Sequence, residues 1–367
     1  MSTSTTAPAP SGGTGRTVVR QSADRSRAGT GERIVGGVSR FGLLGMLVLV
    51  IAVFSVLTPD TYFTTTNFRL ILVNQTVTVI VAMAATLPLL AHYLDASVGP
   101  MLGLAQGISI WLISVHGVPV WLALLAVLAV GVAVGLLNSL LVLKFDMSSI
   151  IGTLAVGSLL MGLLYMITSG RVLYQNVPPG FTSIARGELA GIPLPLIYLV
   201  VLVLVLEFIV VWTPFGQRLY AMDGNLRGAA RAGINVRGYT IRAFVGAAVL
   251  SSLAGVLLAS RVGSAQPTVG EQFLLPAFAA AFLGAAALRP GRVNILGTVI
   301  AAYFITFTIA GLQHLGAATW IERVFNGLAV IVGVSVAAWS VRRRRQLAVR
   351  HVERLENDTE SKGRTTS

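Results

Sequence analysis

The chain contains no cysteine, so disulfides, thiolate metal sites and thiol nucleophiles are all excluded. It has two lysines, Lys144 and Lys362, and neither follows a glycine, so no G-x-x-x-x-G-K-[ST] phosphate loop exists and ATP hydrolysis by that route is closed. His92, His116, His314 and His351 lie far apart, with no H-E-x-x-H pair and no cysteine beside them. No metal site and no catalytic residue is therefore expected. Charged residues make up 11% of the chain, against about a quarter in an ordinary soluble domain.

What the chain does have is apolar mass. Hydrophobic residues reach 54%, the mean hydropathy is +0.79, and there are 39 glycines, which suit helices that must approach closely inside a bilayer. The reading is an all-α polytopic membrane protein. Residues 1–40, rich in Ser, Thr, Gly and Arg, bury nothing and are expected to form a disordered tail with no cleaved signal segment. Apolar spans are predicted near 41–58, 68–90, 99–115, 119–143, 149–168, 194–212, 239–259, 273–287, 295–313 and 322–340. Those near 99 and 273 fall short of the ~20 residues that cross a bilayer, and are expected to be interrupted or re-entrant.

The formal charge of +13 would suggest nucleic acid in a soluble protein. Here it sorts by topology instead. Ten spans put both termini on one side; with those termini in the cytoplasm, only Arg69, Arg171, Arg186, Arg261 and Arg323 of the 27 basic residues fall outside. The positive-inside rule thus favours cytoplasmic termini, with 341–367 as a basic tail whose VRRRRQ run anchors the last span.

The spans divide five and five, about 41–168 and 194–340, around the long loop that follows the fifth span. An odd number per half makes two related halves inverted with respect to one another. One echo supports this: DASVG (95–99) follows the second span and QPTVG (266–270) follows the seventh. Both precede a short apolar segment, so interrupted helices are expected near residues 95–100 and 265–273, where a substrate path would run. Asp95, Ser97 and Gln266 are the candidate path residues. Asp95 also suits a cap on the amides of the next segment. Asn74 and Gln75 read as interhelical hydrogen-bonding groups. Ion-coupled transport of a small polar solute is the rival reading, and Asp95 and Glu207 are its available carboxylates.

Between the sixth and seventh spans stands DGNLRGAARAGINVRG (223–238), on the cytoplasmic side by the charge count. Asp223 or Asn225 can cap a short helix over 226–232, and Gly233 suits the left-handed residue that ends one. Arg227 and Arg231 share one face, while Gly228, Ala229 and Ala232 leave the other almost without bulk. Such a helix fits a groove on another protein, or a basic loop held to anionic lipid. Residues alone leave both open.

Four stretches in order across about residues 60–340 make the choice. YLDASVG (93–99), GNLRGAARAGINV (224–236), SAQPT (264–268) and LLPAFAAAFLG (274–284) together resemble the permease subunit of the ribose-type, monosaccharide family of bacterial ATP-binding-cassette importers. The resemblance implies a pathway subunit in the inner membrane that works as two permease copies, homodimeric or paired with a homologue. It implies a cytoplasmic ATPase, which binds the ATP and Mg that this chain does not, and an external sugar-binding protein delivering a pentose or hexose. It also implies ATPase docking on Gly224, Asn225, Arg227, Arg231, Gly233, Ile234 and Asn235. The sequence departs from the family pattern at Leu226, where an acidic residue is common, at Ala96 in place of Leu, and in the turn GAAALRPGRVN (284–294).

Overall fold

The computed structural model describes residues 41–224, 226–285, 287–288 and 292–336. Asn225 and the tails expected at 1–40 and 341–367 lie outside the described residues. Within them the chain is helical almost throughout: α1 (Phe41–Leu57), α2 (Thr65–Leu90), α3 (Val98–Ile110), α4 (Val120–Leu143), α5 (Ser149–Thr168), α6 (Pro179–Arg186), α7 (Leu194–Trp212), α8 (Pro214–Gly224), α9 (Leu226–Arg231), α10 (Val236–Val262), α11 (Glu271–Gly284), α12 (Ile295–His314) and α13 (320–336). A two-stranded hairpin, β1 (Glu188–Leu189) with β2 (Ile192–Pro193), lies in the long loop after α5.

Ten of these helices match the apolar spans of the sequence, and seven are long and apolar enough to cross a membrane by themselves. Where the ends differ, capping explains it. α2 begins three residues before its apolar run because the Thr64 hydroxyl accepts the Asn67 N–H at 3.1 Å. α10 begins at Val236 because the Asn235 side chain accepts the Gly238 N–H at 3.0 Å. A polar first turn is invisible to a hydropathy reading, but an N-cap side chain stabilises it.

The same order of elements occurs twice. A peripheral helix (α1, α7) precedes a long buried one (α2, α10), then a non-helical break, a shorter helix (α3, α11) and two more spans. α2, α3 and α10 form the centre of the molecule, packed on one another, with α4 and α5 outside them on one side and α11 and α12 on the other. The outer faces of α4, α5 and α7 carry exposed Leu, Val and Ile side chains, as a lipid-facing surface requires.

α3 and α11 are short for the same reason, each starting inside the protein, although the π turn after α3 brings Val98–Val115 to 18 residues and so among the seven. Before α3, residues 91–97 leave the helix; before α11, residues 263–270 do. α11 has 14 residues, about 21 Å of helix against a hydrocarbon core of about 30 Å. α3 is lengthened at its far end by one π turn, Trp111–Val115.

Candidate functional site

Three neighbourhoods carry the residues that chemistry can use. The first is the pair of helix breaks. Non-helical backbone at membrane depth survives only where protein satisfies its polar groups, and here side chains do so. Leu94 N–H donates to Ser149 Oγ at 3.2 Å, and Ala96 N–H donates to Thr153 Oγ1 at 2.9 Å. The Asp95 carboxylate is fully buried and accepts from Ser97 N–H at 2.9 Å, from Ser97 Oγ at 2.6 Å and from Asn138 Nδ2. Ser97 Oγ in turn accepts from Asn138 Nδ2 at 2.8 Å. α4 and α5 thereby hold the 91–97 segment open.

The second break is held differently. Ala265 exchanges both backbone hydrogen bonds with Leu173 of the long loop, at 2.8 and 3.0 Å, and Gln106 of α3 donates to the Ser264 carbonyl at 3.0 Å. Gln266 is exposed, whereas Asp95 and Ser97 are sealed in. The structure therefore brings Asp95 and Ser97 together and leaves Gln266 apart from them. What it does join is Gly99 and Gly270, the last residues of DASVG and QPTVG: a Cβ built on either would lie 2.6 Å from the carbonyl oxygen of the other.

The second neighbourhood is the segment from α8 to α10. α9 ends as the sequence predicts, in a left-handed turn at Gly233 (φ +82°). Gly233 N–H bonds to the Ala230 carbonyl at 3.0 Å and Ile234 N–H to the Ala229 carbonyl at 3.1 Å, the paired bonds of a Schellman end. The helix stops at Arg231, one residue before the expected Ala232, whose N–H still reaches Gly228 at 3.0 Å. Ala229 is buried, and Leu226 and Ile234 pack on the same core. Arg227, Arg231, Gly233 and Asn235 are exposed. Asn235 has a second task, capping α10. Gly224 closes α8. The departure at Leu226 has a local account: this side chain pins α9 to the body of the protein, which an acidic residue would not do.

α8 escapes a hydropathy reading, being half polar, yet it buries Leu219 and Met222 and ties the segment to α10. Phe215 stacks on Tyr239 with ring centroids 5.7 Å apart, Arg218 Nη1 donates to the Tyr239 hydroxyl at 2.5 Å, and the Arg242 guanidinium lies 5.4 Å from the same ring. From there α10 runs 27 residues, about 40 Å, through the centre of the molecule. At its far end Arg261 donates to the carbonyls of Val73 and Asn74 and to Asn74 Oδ1 on α2.

The third neighbourhood lies at that far end. A cleft of about 420 Å³ opens between α2, α11, α12 and α13, and its polar lining is Asn74, Gln75, Thr78, Gln272, Thr306, Gln313, Glu322 and Asn326. Among the described residues no lysine, arginine or histidine lines it. Asn326 is 4% exposed, and its Oδ1 has no hydrogen-bond partner among the described residues. The sequence reading missed this cleft. Its residues are spread one to three at a time over four helices, and Asn74 and Gln75 read as interhelical groups. The retrievable signal was amide side chains on α2, α11, α12 and α13 at positions that an apolar span does not need.

Paired breaks in a bundle of ten apolar helices define a multi-pass membrane permease. The chain belongs to the family described as branched-chain amino acid transport system / permease component, which matches residues 67–334. The ribose import permease protein RbsC of Bacillus subtilis is 35% identical over 297 residues, covering 79% of this chain and 90% of that one. RbsC of Haemophilus influenzae is 32% identical over 291 residues (78% and 90%), and the Klebsiella pneumoniae autoinducer 2 import system permease protein LsrD 30% identical over 316 residues (82% and 92%). No solved structure matches the chain.

Proposed function

We propose that this permease forms the pathway for uptake of a neutral monosaccharide, pentose or hexose, in an ATP-binding-cassette importer. The observation that carries the solute class is the amide-lined cleft. A free amino acid brings a carboxylate and an ammonium, and its carboxylate calls for a cation; the cleft offers amides, hydroxyls and one carboxylate, Glu322. Neutral donors and acceptors of this kind suit the hydroxyls of a polyol. The relatives, ribose and autoinducer 2 import permeases, support the same direction.

In this reading the membrane is the bacterial inner membrane, with both termini cytoplasmic. Two copies of the permease, or one copy and a homologue, enclose the path. A separate cytoplasmic ATPase binds ATP and Mg and docks on Gly224, Asn225, Arg227, Arg231, Gly233, Ile234 and Asn235. An external binding protein delivers the sugar. Asp95 and Ser97 serve the path by fixing the break before α3, and Gln266 serves it from the exposed break before α11. Closure of the ATPase moves α8 and α9, and the Tyr239 cluster passes that movement to α10 and so to both ends of the path.

Reconstitution tests this. The chain, its ATPase and its binding protein in proteoliposomes should take up radiolabelled sugar with ATP inside and ignore a collapsed proton gradient. Uptake that needs the gradient and not ATP would select an ion-coupled carrier, and uptake of a branched-chain amino acid in place of sugar would overturn the solute class.

A further inference from the structure

We propose that the groove between α4 and α10 is a binding site for one anionic phospholipid, with its phosphate between Lys144 and Arg237 and an acyl chain along Leu136, Leu140, Leu143 and Ile241. The groove has a volume of about 660 Å³, and its lining is mostly apolar side chains of α4 with Arg237 and Ile241 of α10. Leu136 and Leu140 stand one turn apart on α4 and are 47% and 44% exposed. On a helix of this hydropathy such a face meets hydrocarbon, since water there would cost the burial of the whole stripe.

The headgroup end is set by where α4 stops and α10 starts. Lys144 follows the last residue of α4 and is exposed. Arg237 lies in the first turn of α10 and is held over the end of α4, where its Nη2 donates to the Leu143 carbonyl at 3.4 Å. Two cations thus close one end of an apolar groove. Among the described residues the ion pair within 4 Å is Arg69–Glu188, at the other end of the molecule, and Asp146 two residues beyond Lys144 forms none with it. One phosphodiester between two cations leaves a charge to spare for the carbonyls at the C-terminus of α4. A zwitterionic headgroup carries its own cation to the same place and loses that advantage. For two basic side chains near an anionic headgroup the preference is on the order of ten-fold or more. Arg237 follows Asn235 by two residues, so a lipid held there lies next in the chain to the segment proposed to dock the ATPase, whatever the solute carried.

The absence of cysteine makes the test clean. Leu140→Cys in the full chain, labelled with an environment-sensitive fluorophore and placed in nanodiscs, is titrated with brominated phosphatidylglycerol or brominated phosphatidylcholine as quencher. Half-quenching should need about ten-fold less of the anionic lipid. In a Lys144→Gln, Arg237→Gln background the two lipids should become equal, and Lys144→Arg, Arg237→Lys should restore the difference. Leu140, Lys144 and Arg237 are all exposed, so melting temperatures should stay together. Equal quenching in the parent, a preference that survives the double Gln change, or displacement by soluble glycerophosphate would each overturn the proposal. So would a label that neither lipid quenches and that responds instead to added ATPase or to dimer formation.

Discussion

Gly99 and Gly270 touch backbone to backbone: the carbonyl oxygen of each lies 2.6 Å from where a Cβ of the other would stand, too close for any side chain. The contact is reciprocal, as expected of corresponding residues in two related halves. It sets α3 and α11 to start from one point inside the protein. Gly103 extends the contact, since a Cβ there would lie 3.1 Å from the Gly270 backbone.

Alanine at either glycine should therefore cost about 1–3 kcal/mol, the usual penalty for overpacking a dense interior, and leucine should prevent stable purification. The two alanine changes should be non-additive, because the first to force the backbones apart relieves the second. Melting temperatures of the single and double variants in detergent check this; simple additivity would mean that the two sites do not share a contact.

Gly233 fails differently when changed. Among the described residues nothing lies within 4 Å of its notional Cβ, so the obstacle to a side chain there is φ +82°. Gly233→Val should distort the end of α9 and lower ATP-driven uptake at least ten-fold, with the melting temperature nearly unchanged. Gly233→Asn, which tolerates the left-handed region, should keep most of the uptake. Wild-type coupled uptake in the valine variant would remove Gly233 from the docking surface.

Tyr239→Phe tests the link from α8 to α10. It keeps the stack on Phe215 and the cation contact with Arg242 but deletes the acceptor for Arg218. ATP hydrolysis by the assembled importer should persist while uptake per ATP falls several-fold. Tyr239→Ala, which removes all three contacts, should uncouple further. An unchanged uptake-to-hydrolysis ratio in both would show that the link carries no movement.

Asp95→Ala should destabilise the protein by about 1–3 kcal/mol, because it strands the buried Ser97 N–H, Ser97 hydroxyl and Asn138 amide that the carboxylate now accepts. Asn138→Leu should lower stability in the same range. Thermal unfolding gives the values, and uptake scaled to folded protein shows whether Asp95 also meets the solute.

Asn326→Leu should lower sugar uptake at least several-fold without loss of stability. It removes a buried carbonyl oxygen in the cleft wall that has no partner among the described residues and that a small shift of α13 would turn toward a solute hydroxyl. Gln272→Leu, at an exposed cleft position, should act in the same direction more weakly. Full uptake in both would exclude the cleft from the path.

The sequence by itself determined the class, the number of apolar helices, the two interruptions and the left-handed end of α9. Each of these rests on local chemistry: apolar run length, a carboxylate ahead of a short apolar segment, a glycine after a short helix. The ends of α2 and α10 were not legible, because a cap acts through one side chain while hydropathy averages over many. The partition of roles among Asp95, Ser97 and Gln266 was not legible either. Sequence set all three at helix breaks, but whether a break opens to solvent or is sealed depends on what packs against it. α4 and α5 seal the first, while the loop strand at Leu173 and the Gln106 amide hold the second and leave Gln266 bare. The amide-lined cleft belongs wholly to tertiary structure. Asn74, Gln272, Thr306 and Asn326 lie on four helices spread over 252 residues of chain, and only the packing of those helices turns isolated polar side chains into one surface.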